Sequence, residues 1–267
     1  MNRLSTDRRG SVIAALVEGN SIRSTARLTG VSKPAVLKLL EDLGPICSSY
    51  QDETLRNLRC RRIQCDELWQ YCYAKAKNVP ASKRDTFGYG DVWTFVAIDA
   101  DTKLVPAWLI GPRDADTTRE FMLDLAGRLL EPPQISTDAF PPYAEAVRFA
   151  FGRRVDYAQT AKNDGKSHPQ VHSGDPDHAH ISTSYIERQN LTMRMQIRRY
   201  TRRTNAFSKK VENLAHAVAL HFMHYNFVRI HGSLRCTPAM RAGVSRRLWT
   251  IRDVVTLLEE REARQAA

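Results

Sequence analysis

The chain has no pair of cysteines at C-x-x-C spacing. Its five cysteines stand at 47, 60, 65, 72 and 236, so a zinc ribbon or finger is not expected. An odd count without a leader-like apolar h-region points to reduced thiols in a cytoplasm. No apolar run is long enough to span a bilayer, so no membrane partner is expected. Acidic residues are also scarce: Asp+Glu is 29 against 40 Lys+Arg, a formal charge of +11. The deficit is sharpest between Arg188 and Lys210. That stretch holds Arg188, Arg194, Arg198, Arg199, Arg202, Arg203, Lys209 and Lys210 and no acid. Unbalanced positive charge repels itself, and a polyanion such as nucleic acid is its simplest partner. Hydrophobic content, 42%, is ordinary for a folded protein.

Residues 8 to 43 read as a small helical unit. Ser11 to Glu18 suits a first helix, stopped by Gly19-Asn20. Ser21 can cap a second, with Ile22, Ala26 and Leu28 as its expected buried positions. Gly30 makes the turn. Ser32 can cap a third, with Pro34 tolerated in its first turn and Val36, Leu39, Leu40 and Leu43 as its apolar stripe. This is the helix-turn-helix pattern, which would offer Lys33 and Lys38 to a DNA major groove. A plain three-helix bundle gives the same pattern. We expect a helix-turn-helix domain over 1–44 and a basic linker over 45–62, the latter from Gly44-Pro45 and Arg56, Arg59, Arg61 and Arg62.

Strand signals follow at Ile63–Tyr73, Val92–Asp99 and Leu104–Ile110, the last two joined through turn-forming Asp99 to Lys103. A helix is expected over Asp116–Leu130, a short strand at Gln134–Thr137, a helix over Pro142–Phe151 and a strand over Arg154–Gln159. Residues 161–183 read as a loop. Helices are expected from Ser184 to about Arg199 and from Ser208 to Val228, with a helical tail over 241–267. The order β-β-β-α-β-α-β-α is that of a mixed α/β domain.

Three acids stand where metal-dependent phosphoryl transfer wants them: Asp66, Asp138 and Glu187. Such chemistry activates an oxygen nucleophile and stabilises a leaving oxygen, and a few carboxylates holding hydrated Mg²⁺ suffice. Each acid also has a plain structural reading. Glu67 is an alternative to Asp66, since strand alternation sends the two side chains to opposite faces and only one is expected in the site. Asp138 can be a turn or cap residue. Ser184-x-x-Glu187 is a capping-box pattern. At 100° per residue, Glu187, Asn190, Arg194 and Arg198 share one helix face, which suits a DNA backbone.

With these motifs in view, the chain resembles bacterial insertion-sequence transposases of the DDE class, and most nearly the family named after the first numbered insertion sequence. The resemblance rests on Cys65-Asp66-Glu67-Leu68-Trp69, on Ser136-Thr137-Asp138 with Tyr143, and on Tyr185-Ile186-Glu187-Arg188-Gln189-Asn190. It also rests on Tyr225-Asn226, Arg229, His231, Leu234-Arg235 and Thr237-Pro238-Ala239. It implies a ribonuclease H-like (retroviral-integrase-like) α/β core over 63–240, a mixed sheet flanked by helices. It further implies that Asp66, Asp138 and Glu187 bind two Mg²⁺ (or Mn²⁺) ions for DNA cleavage and strand transfer. The partners it implies are double-stranded DNA, as terminal inverted repeats and target, and further copies of the chain on that DNA; the place is the bacterial cytoplasm, with the nucleoid.

The chain departs from the family in two respects. Relatives often carry a cysteine zinc finger before the helix-turn-helix. The interval from Asp138 to Glu187 also exceeds the compact form of the motif, with Glu145 as its one other glutamate. The interval holds His168, His172, His178 and His180; their spacing hints at a metal site, but no cysteine or regular ligand pattern supports one, and they read instead as part of a mobile polar loop near DNA. His231 beside Arg229 suits either a phosphate contact or a helix end. Two rival readings remain: a helix-turn-helix regulator without catalysis, whose three acids would lie far apart, and a metal-dependent nuclease without strand transfer.

Overall fold

The computed structural model describes residues 3–266 except 154, 164 and 165. In chain order the main elements are α1 (Thr6–Val17), α2 (Ile22–Thr29), α3 (Lys33–Thr54), β1 (Arg62–Cys72), β2 (Gly90–Asp99) and β3 (Ala107–Gly111). Then come α4 (Ala115–Ala126), β4 (Gln134–Asp138), α5 (Pro142–Phe151), β5 (Asp156–Asn163) and β6 (Lys166–Ser173). Last are α6 (Ser184–Gln196), α7 (Val211–Met223), α8 (Pro238–Arg241) and α9 (Ile251–Ala266). They form two compact units, one of residues 55–191 and one of residues 1–54 with 192–267.

The first unit is built on a mixed sheet of order β3-β2-β1-β4-β5-β6. The pairs β1–β2, β2–β3 and β5–β6 are antiparallel; β1–β4 and β4–β5 are parallel. The order reverses direction at β1, so the β1–β4 boundary is a topological switch point. Ligands favour the crevice beyond the carboxyl ends of strands at such a point. Glu67 lies opposite Phe95 across the β1–β2 ladder, and Phe95 packs against Phe121 of α4 and Tyr143 of α5. On the other face, Gln64 Oε1 accepts the Tyr185 and Ile186 amides at 2.8 and 3.1 Å, which fixes the first turn of α6 on β1. A mixed sheet with helices on both faces fits the expected ribonuclease H-like core.

Several boundaries differ from the sequence expectations. The third strand starts at Ala107 rather than Leu104, because the turn extends through Lys103, whose φ is +61°. The strand expected from Arg154 begins at Asp156, and Arg154 itself lies outside the described residues. Residues 161–183 are not one loop. β6 pairs with β5, and the ring of His172 stacks on Tyr157 at 5.2 Å. Arg56 and Arg62 are not linker residues either. Arg56 donates to Gly127 O at 3.5 Å, Arg62 pairs with Asp101, and Leu58 bridges to Leu129.

The second unit is helical. The Ser21 hydroxyl caps α2 by accepting from the Ser24 amide at 3.0 Å. The expected stripe of α3 (Val36, Leu39, Leu40, Leu43) is buried, but in α2 the buried residue is Thr25 while Leu28 is 68% exposed. α3 also runs ten residues past the expected stop at Gly44-Pro45. Leu43, Ile46 and Cys47 are buried there, and Gln51 Nε2 donates to both Cys47 O and Ala219 O of α7 at 2.9 and 3.0 Å. Tertiary packing thus outweighs the backbone bond that Pro45 removes. The tail belongs to the same unit: Glu262 of α9 accepts from Nη1 and Nη2 of buried Arg9 of α1, both at 2.9 Å. The division therefore falls at 54/55 and 191/192, where 44/45, 62/63 and 240/241 were expected.

Candidate active site

The last β1–β4 pair is Cys65–Thr137, and the next residues along the two strands are Asp66 and Asp138. Beyond that pair the strands no longer bond to each other. Carboxylate oxygens of Asp66, Glu67 and Asp138 gather there within 4.8 Å of one another. Strand alternation does set Asp66 on the α6 side and Glu67 on the α4–α5 side. The expectation that only one joins the cluster nevertheless fails: both carboxylates belong to it, at the point where β1 and β4 cease to pair.

Each acid is held by named donors. Asp66 Oδ1 accepts the Glu67 amide and Oδ2 accepts Asn190 Nδ2 of α6, both at 2.8 Å. Asp138 Oδ1 accepts the Phe140 amide at 3.1 Å, so the turn reading of Asp138 holds alongside its place in the cluster. Gln159 Nε2 ties that turn down by donating to Asp138 O and Phe140 O at 3.0 Å. Glu67 is the most enclosed: its side chain is 1% exposed, with Arg113 Nε at 2.5 Å and the Tyr143 hydroxyl at 3.0 Å.

Burial raises the pKa of all three acids. Asp66 is pushed up to about 7, first by burial and then by the charges of Asp138 and Glu67. Glu67 and Asp138 are raised too, burial leading in both, with Arg113 pulling each back down. Like charges crowded away from water favour either a proton or a cation. A donor set of carboxylates alone suits a hard oxygen-loving ion such as Mg²⁺.

Glu187 lies outside the tight cluster. It sits in the first turn of α6, three residues before the Asn190 that touches Asp66. The Ser184 capping box does not form, because Ser184 is already helical. Instead the Thr183 hydroxyl donates to Glu187 Oε1 at 2.6 Å. α6 ends at Gln196; Ile197 is extended (φ −103°, ψ 99°) and buried, and Arg198 begins a separate 3₁₀ turn. The expected face of Glu187, Asn190, Arg194 and Arg198 is thus cut short before Arg198. Arg188, Arg202 and Arg203 are exposed, while Arg194 and Arg199 are half-buried. In the helical unit Lys33 is exposed, and Lys38 pairs with Asp42 one turn on.

Arg113 is the residue that sequence reading missed. It lies between β3 and α4, its Nη2 is 3.8 Å from Asp138 Oδ2, and its guanidinium stacks over Phe140 at 3.9 Å and Trp93 at 4.8 Å. No local pattern marks it; only the fold brings it beside the acids. Among the described residues, His168, His172, His178 and His180 join no metal-ligand cluster. His231 pairs by backbone with Cys236, and its Nδ1 lies 3.1 Å from Ser233 Oγ.

No helix among the described residues is long and apolar enough to cross a membrane. A comparison with curated proteins gave no match. Residues 164–228, under half of the chain, match the family model described as IS1 transposase. That segment carries Glu187, the acid-free basic run and α7. With the fold and the acid cluster beside this match, the chain resembles the IS1 transposases, DDE-class enzymes of insertion sequences.

Proposed function

We propose that the chain is a DDE transposase that binds the terminal inverted repeats of an insertion sequence and cleaves and joins DNA strands. The observation that carries this is the gathering of Asp66 and Asp138, from separate strands, at the switch point of the sheet. It speaks against a purely DNA-binding regulator, for which Asp66, Asp138 and Glu187 would all lie far apart, since two of the three lie together. Asp66, Asp138 and Glu187 would hold two Mg²⁺ (or Mn²⁺) ions, which supply an activated oxygen nucleophile and charge stabilisation at the leaving oxygen. Glu67 serves the site differently. Its carboxylate is already engaged by Arg113 and Tyr143, so it fixes Arg113 beside Asp138 and adds negative charge. Asn190 orients Asp66 through Oδ2.

α3, with Lys33 and Lys38, is assigned to the terminal repeats. Arg188, Arg194, Arg198, Arg199, Arg202 and Arg203 are assigned to DNA backbone contact. The deciding experiment incubates the protein with Mg²⁺, a duplex ending in the repeats that flank its gene, and a target plasmid. Joining of the duplex 3′-hydroxyl end to the plasmid is the expected result. Cleavage without joining would leave a nuclease instead.

Glu187→Gln checks the third acid. A Gln oxygen can still accept from the Thr183 hydroxyl, so the melting temperature is expected to stay within about 2 °C of wild type, the range of surface changes. Cleavage is expected to fall about 100-fold or more, roughly 2.7 kcal/mol of barrier. Full cleavage by this variant would remove Glu187 from the site.

Cation binding should depend on pH in a defined window. A carboxylate must lose its proton to bind, and Asp66 does so near pH 7. Calorimetric Mg²⁺ affinity is expected to be level above pH 8 and to weaken by about tenfold per unit as pH falls below 7. Constant affinity from pH 8 to 6 would contradict the pairing of Asp66 with the ion.

A further inference from the structure

The helical unit contains a cavity of about 830 Å³ whose lining includes none of the acids, within the size range of small-ligand sites. Its lining is chemically one-sided. Five cationic side chains face it, Arg23, Lys33, Arg198, Arg199 and Lys209, and no acid does. None of Arg23, Lys33 and Arg198 has a carboxylate within ion-pair distance among the described residues. The remaining wall is largely apolar, including Ile22, Leu37, Phe207 and Ala217. His221, 2% exposed, also lines it, and its two ring nitrogens have no hydrogen-bond partner among the described residues. An unpaired buried polar group costs about 1–3 kcal/mol, a cost that a ligand bonding to His221 would offset.

We propose that this cavity receives a single unpaired deoxynucleotide of bound DNA. The planar base lies between Phe207 and the apolar wall, its edge meets His221, and its phosphate meets Arg23, Lys33 and Arg198. A base has an apolar face and a polar rim that both donates and accepts. Burial pushes His221 down to about 3, so its ring is neutral and offers one donor and one acceptor. The phosphate accounts for Arg23, Lys33 and Arg198; Arg199 is held by Ser208 and Lys209 lies over Phe207. Neither an apolar peptide nor a sugar would need the three cations. That the nucleotide belongs to DNA rests on the transposase reading; the chemistry of the pocket does not.

The experiment measures binding without divalent ions, so its outcome is separate from cleavage. Affinity is compared for a duplex with one bulged nucleotide and for the same duplex fully paired, with free dAMP as competitor. The bulged duplex is expected to bind about tenfold or more tightly, the scale of one stacked base, and dAMP to erase that preference. Ala217→Phe, which puts a ring into the cavity where the base would lie, should bring the bulged duplex close to the affinity of the paired one. His221→Phe should reduce the preference without lowering the melting temperature, since it replaces two unpaired buried nitrogens with carbon. Equal affinity for both duplexes, with dAMP inert, would overturn the proposal. Cavity-dependent binding of dAMP with no preference for the bulge would overturn the DNA source and leave a free-nucleotide site.

Discussion

Asp66→Asn is expected to abolish strand cleavage and joining, by at least about 10³-fold or 4 kcal/mol of barrier, and to make the ion-free protein more stable. The two effects share one cause. In the wild type a half-buried carboxylate faces two others, and its pKa rises to about 7. Because the folded value lies above the unfolded one, ordinarily about 3.9, the folded state binds the proton more tightly. The wild-type penalty is absent below about pH 4, grows through the interval up to pH 7 and is full above it. Removing the charge should therefore stabilise the protein by about 1–3 kcal/mol at pH 8 and by nothing at pH 4.

The local bonds permit this exchange. The new amide oxygen can still accept from the Glu67 amide. Its NH₂ would meet Asn190 Nδ2, but Asn190 Oδ1 has no partner among the described residues, so that amide can turn over and accept. Thermal melts at the two pH values, with and without Mg²⁺, check the claim. The variant should also lose the Mg²⁺-induced rise in melting temperature. A variant less stable than wild type at pH 8, or one that still cleaves, would contradict it.

The second large effect is expected at Gly44. A glycine inside a helix ordinarily gains about 0.5–1 kcal/mol on replacement by alanine, and sequence alone would recommend that change. Here a Cβ on Gly44 would lie 2.5 Å from both Cβ and Nδ1 of His216 on α7. His216 Cβ is tied to its own backbone, so rotating the imidazole does not relieve the clash; α3 and α7 must move apart. Overpacking of this kind costs about 1–3 kcal/mol, which outweighs the gain in helix propensity. Gly44→Ala should therefore be destabilised by about 1–2 kcal/mol and Gly44→Leu by about 3 kcal/mol or more. For the larger variant the melting temperature should drop by roughly 6–12 °C. A stabilised alanine variant would show that the helices pack less tightly than described.

The same residue shows where sequence reading reaches its limit. Gly44-Pro45 is a sound local stop signal, and it is overruled by apolar side chains that find partners on α7 far along the chain. Strands β1, β2 and β4 and helix α5 were legible because their apolar patterns and turn residues act locally. Asp66 and Asp138 were legible as a pair because each follows a short buried run. Arg113 was not, since nothing near it in sequence predicts a guanidinium laid between two rings and two acids. The joint place of Asp66 and Glu67 escaped a correct rule about faces, which assumes a strand flanked on both sides. Arg198 escaped because a single extended residue, Ile197, ends the helix that would have aligned it with Glu187.

The bond between Arg9 and Glu262 spans 253 positions. A ribosome adding about 5–20 residues per second needs roughly 13–50 s to make the second partner after the first. During that wait residues 55–191 are contiguous and can fold behind the exit tunnel, while the opening helices stay without their closing helix. On this timing the helical unit, which needs both residues 1–54 and 192–267, closes after residues 55–191 have been made.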